Sequence, residues 1–176
     1  MTSADTRPAR PAAAIAVGGL IAGVLDILSA IVAYAPSGVT PKQVFQSVAG
    51  GALGKAAAEG GWATAMLGLG FHFLIAFGAA AVFYLASRRI RFMTTHPVVS
   101  GFVYGFLVFL FMRFVVFPLS AIGYVPIKWT SWQLQLAGPA GHLVLVGLPI
   151  ALAVRHFAPH PDVSDAARPS TAARAR

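Results

Sequence analysis

The chain has 176 residues, of which 57% are hydrophobic and 10% charged. A soluble domain carries about 25% charged residues and cannot hide so much apolar surface, so a soluble globular fold is excluded. The formal net charge is +8 and there is no cysteine. The charge finds no basic face on a soluble module, so nucleic-acid binding is excluded. The missing cysteines exclude disulfides, thiolate metal sites and covalent c-type haem.

Residues 1–10, with Arg7 and Arg10, read as a disordered tail. A spanning helix needs about 20 mostly apolar residues, and the first such stretch covers about 11–35, interrupted by Asp26. Ala33-Tyr34-Ala35 has the look of a signal-peptide cleavage site. The long apolar run, Asp26 inside it and Pro36 after it argue for a retained span. Thr40-Pro41-Lys42-Gln43 then reads as a helix start, with Thr40 as N-cap, Pro41 at the first position and Gln43 closing a capping box. Val44, Phe45, Val48, Ala49, Leu53 and Ala56 follow at helical spacing, before Gly50, Gly51 and Gly54 bend or break the helix. The expectation is a short amphipathic helix in the membrane interface.

The second span covers about 62–87 and contains His72. The third covers about 97–120 and contains Arg113, and the fourth covers about 132–154 and contains His142. Residues 157–176 lack apolar periodicity and read as a second disordered tail, leaving 11–156 as one transmembrane domain. The expected fold class is all-α, a polytopic four-helix transmembrane bundle in the lipid bilayer.

Loop charge sets an expected orientation. Arg7, Arg10, Arg88, Arg89, Arg91, Arg155, Arg168, Arg174 and Arg176 fall on one side, against Lys42, Lys55 and Lys128 on the other. The positive-inside rule places both termini in the cytoplasm. Tyr34, Trp62, Tyr124, Trp129 and Trp132 then anchor the outer interface.

Gly19 and Gly23 in the first span, and Gly101 and Gly105 in the third, form GxxxG pairs expected to pack helices closely. Asp26 lies within about 60° of both Gly19 and Gly23, whereas Arg113 is about 80° from Gly105. Counted from the aromatic anchors, Asp26, His72, Arg113 and His142 all lie roughly 12–16 Å below the outer surface. A charge at mid-membrane costs about 2.5–3.5 kcal/mol, so these four are the candidate polar site. They read as a proton, ion or small-solute site, or as a buried ion pair with hydrogen-bonded histidines that only stabilises packing. A third reading has His72 and His142 ligating a b-type haem, with Arg113 facing a propionate. No HExxH or GxSxG pattern is present, so neither a metal site nor a catalytic set is expected. Four helices are few for a monomeric transporter, so a homo-oligomer or an unidentified membrane partner is also expected.

Gly19 and Gly23 followed by Asp26, the Gln46, Gly50-Gly51 and Gly54 loop, Leu69-Gly70-Phe71-His72-Phe73, Phe117-Pro118-Leu119-Ser120, and Gly141-His142 with Val146-Gly147 form a recognisable set. In these the chain resembles the YagU-like family of small bacterial inner-membrane proteins over residues 12–156. The resemblance implies a bacterial inner-membrane location and brings no catalytic residues with it.

Overall fold

The protein is described by a computed structural model covering residues 9–123 and 138–158. Among these residues every regular element is helical. In chain order they are α1 (Pro11–Tyr34), α2 (Pro41–Leu53), α3 (Gly61–Ser87), a single turn α4 (Phe92–Thr95), α5 (Pro97–Leu119) and α6 (Pro139–Phe157). Proline at the first position starts α1, α2, α5 and α6, where its missing N–H has no helical partner to lose. The expected capping box opens α2: Gln43 N–H donates to Thr40 Oγ1, and Thr40 N–H donates to Gln43 Oε1 at 2.8 Å.

Four helices, α1, α3, α5 and α6, are long and apolar enough to cross a bilayer. At 1.5 Å per residue even the 19-residue α6 reaches about 28 Å, close to the hydrocarbon thickness. The architecture is that of a multi-pass membrane protein. Its outward faces carry Val32, Leu74, Leu85 and Phe111, all exposed, as lipid requires. The first three spans fall within a residue of the expected bounds. The last runs to Phe157, past the expected end at 154, and Ala158 is buried behind it. Residues 132–137 of the expected fourth span lie outside the described residues, as do Tyr124, Trp129 and Trp132.

The spans alternate in direction and pack in the order α3, α1, α6, α5. In lipid there is no hydrophobic drive between helices, so close van der Waals approach must hold them. Small residues provide it. Gly18 meets Ile150 and Ala153, while Gly19 and Gly23 receive the rings of Phe77 and Phe73. Gly147 of α6 lies against Gly101 and Gly105 of α5, backbone on backbone. All four expected GxxxG glycines are therefore contact points, and Gly147 joins them as a third member of the α5–α6 seam.

The core of larger side chains sits toward the end bearing Arg10, Arg88, Arg89, Arg91 and Arg155, here called the basic end. Ala14, Ala80, Phe83, Ile150 and Val154 are buried there. Tyr104 stands edge-on to Phe83 and donates from its hydroxyl to Ala79 O at 2.7 Å, tying α5 to α3. Arg10 N–H donates to Phe157 O at 2.7 Å, joining the ends of α1 and α6.

At the opposite end, α2 crosses α3. Gly68 leaves room for the Phe45 carbonyl and the Ala49 amide of α2 to sit directly on α3. The buried Gln46 side chain fastens the crossing by donating to Ala58 O, Gly61 O and Thr64 Oγ1 at 3.3, 3.0 and 3.2 Å.

Candidate functional site

Each of the four expected polar residues sits on a different spanning helix. Asp26 lies on α1. At 100° per residue it is roughly 80° round from Gly18, on the side facing α6, and roughly 20° from Gly19, on the side facing α3. Its side chain therefore points into the sector between those neighbours. It is part-exposed. Its own carbonyl accepts the Ser29 hydroxyl at 2.8 Å. Among the described residues, its carboxylate makes no ion pair or hydrogen bond.

His72 lies on α3, its Nε2 2.8 Å from the carbonyl of Gly23 on α1. His142 lies in the first turn of α6, its Nδ1 2.7 Å from Gly138 O. A carbonyl oxygen can only accept, so both contacts fix the tautomer. His72 carries its proton on Nε2, leaving Nδ1 as the acceptor. His142 carries its proton on Nδ1, leaving Nε2 as the acceptor. Each ring thus keeps one nitrogen able to take up a proton. Iron ligation through Nε2 of both rings would require His72 to release Gly23.

Arg113 lies on α5 and is buried. The sequence left its direction uncertain, because an ideal helix turns it about 80° from Gly105. The backbone is not ideal there. Met112–Val116 is a π-helical turn, with Phe117 N–H donating to Met112 O. A matching π-turn, His142–Gly147, has Leu148 N–H donating to Leu143 O. Both turns end two residues before a proline, Pro118 in α5 and Pro149 in α6. Proline has no N–H and its ring crowds the carbonyl four residues back, so the preceding turn widens by one residue. The wider turns carry Arg113 and His142. Prolines inside two apolar spans were the signal for this, and the sequence reading gave them no such role.

The contacts set His72, Asp26 and His142 in succession along α1, within about two turns. His72 reaches the carbonyl of Gly23, one turn before Asp26. Ser29, one turn after Asp26, faces Gly141, the neighbour of His142. Arg113 stands further on. Gly105 packs on the His142 backbone, the Phe109 ring meets the His142 ring edge-on at 5.6 Å, and Arg113 lies one more turn along. That places it about 12 Å along α5 from the Gly105 contact, nearer the end capped by α2. No ion pair joins it to Asp26 among the described residues.

Among the described residues no three of His, Cys, Asp and Glu cluster as a metal site would require. Chemically, the arrangement offers one carboxylate and two singly committed imidazoles within about two turns of the bundle, with a guanidinium beyond them. No family model, curated protein or solved structure matches this chain.

Proposed function

We propose that this multi-pass protein uses Asp26, His72 and His142, with Arg113 beyond them, to handle protons or a small ion or solute within the membrane. The observation that carries the reading is Asp26. Its carboxylate lies in the inward sector of a spanning helix and has no protein partner among the described residues. An ionisable side chain within a membrane span is a functional-site candidate by default. His72 and His142 each hold an available acceptor nitrogen, which suits proton transfer. Pro118 and Pro149 support the reading from the backbone, since widened turns recur where membrane helices carry function.

A second reading makes the polar residues accessories of packing. It is favoured by the bond from His72 to Gly23 O, which ties α3 to α1. Against it, the helix contacts are already made by glycine and alanine, and Asp26 contributes no tie. We further propose a bacterial inner-membrane location, kinship with the YagU-like family, and both termini on the cytoplasmic side. The excess of arginine at the basic end supports the last of these.

Purified protein in liposomes loaded with a pH-sensitive dye tests the reading. Proton flux is expected from the parent and at least a tenfold loss from Asp26→Asn or His142→Phe. Liposomes as tight with the parent as without protein, across proton and monovalent-ion gradients, would leave packing as the role of these residues.

A further inference from the structure

We infer that α2 is a movable strap that controls access to the interior polar residues from its end of the bundle; the inference rests on reading those residues as a working site. Toward the basic end α3 and α5 are joined by Tyr104, Phe83 and Ala79. At the other end α2 makes the link. It lies across α3, and its C-terminal turn reaches the residues that follow α5: Ala121 N–H donates to Gly51 O at 2.8 Å.

The two attachments of α2 differ in kind. On α3 the contact is tight, backbone against Gly68, with the Gln46 amide bound to three oxygens. Toward α5, among the described residues, one backbone hydrogen bond joins the two and three glycines line the seam. Gly50, Gly51 and Gly54 face Ile122, Ser120 and Ala121 without a side chain of their own. Motion therefore separates α2, riding on α3, from the end of α5. Glycines stand where that motion would bend the chain. Gly38, between α1 and α2, has φ +77°, and Gly123, just past the seam on the α5 side, has φ +72°. These are left-handed values that glycine adopts without strain. An opened seam uncovers the α3–α5 side of the interior, where His72 and Arg113 sit.

The absence of cysteine makes the seam testable with introduced thiols. A Cβ built at Gly51 lies 3.9 Å from that of Ser120, inside the 3.5–4.5 Å span of a disulfide. In the full chain carrying Gly51→Cys and Ser120→Cys, a third change, His72→Cys, places a reporter thiol on the side that an opened seam uncovers. With the pair reduced, a water-soluble thiosulfonate reagent is expected to modify the reporter at least tenfold faster than with the pair oxidised, read on the isolated peptide. Equal rates, an unreactive reporter in both states, or a pair that does not oxidise would each overturn the strap.

The unmodified protein gives a second test by hydrogen exchange. The Ala121 amide, bonded across the seam, is expected to exchange at least tenfold faster than the Gly54 amide, bonded within α2 to Gly50 O. Equal protection would also overturn it. Gated labelling without any flux would keep the strap and remove the transport reading, whereas flux with ungated labelling would do the reverse.

Discussion

Replacing Gly147 with alanine should loosen the bundle, and the matched change at Gly70 should not. A Cβ at Gly147 would collide with Gly101 O and would lie 2.5 Å from Gly105 N and 2.7 Å from Gly105 Cα. All three are backbone atoms of α5, so no side chain can swing away. Ordinary contact begins at 3.4 Å, so α5 and α6 must part by about 1 Å along their seam. Forcing one methyl into a closed interface costs about 1–3 kcal/mol. A Cβ at Gly70 meets nothing within 4 Å. Both glycines lie inside helices, so the propensity gain of up to about 1 kcal/mol is common to both and cancels in the comparison. Unfolding of each variant in mild detergent by added dodecyl sulfate, followed by helical circular dichroism, gives the difference. Gly70→Ala should match or exceed the parent, and Gly147→Ala should fall about 1–3 kcal/mol below Gly70→Ala. Equal stability of the two variants would refute the claim that backbone contact at this seam holds α5 to α6.

Gln46→Leu keeps the side-chain size but removes the amide donor shared by Ala58 O, Gly61 O and Thr64 Oγ1; a loss of about 1–3 kcal/mol is expected, with faster hydrogen exchange across residues 54–64. Tyr104→Phe removes only the hydroxyl bonded to Ala79 O, and the thermal midpoint should drop by an amount equivalent to about 1 kcal/mol. His72→Phe loses the bond to Gly23 O and should cost about 1 kcal/mol while the chain still folds, as read from helical content in detergent.

The spans were legible because apolar length alone dictates them in a bilayer. The α2 helix was legible because Thr40, Pro41 and Gln43 form a local start signal that needs no tertiary context. What α2 packs against was not, since the room made by Gly68 for Phe45 depends on how two helices cross. Gly101 and Gly105 were readable as a pair, but their partner Gly147 lacks a second glycine four residues away and showed no motif. The succession of His72, Asp26 and His142 within about two turns could be approached by counting residues. Arg113 could not, because the count assumed a regular helix. Pro118 and its π-turn alter both the rise and the direction of α5 there. The Asp26–Arg113 pairing, one of the readings of the four residues, rested on that same count, and no ion pair joins the two among the described residues.

The role of Asp26 is the central claim, and a charge-removal cycle tests it most directly: Asp26→Asn, Arg113→Gln and both together, each scored by thermal stability in detergent. An acid with no partner among the described residues contributes little to folding, so Asp26→Asn should be as stable as the parent or more so. Its effect should add to that of Arg113→Gln within about 0.5 kcal/mol. Strong destabilisation by each single change, with recovery in the double variant, would make the two residues a structural ion pair and contradict the account.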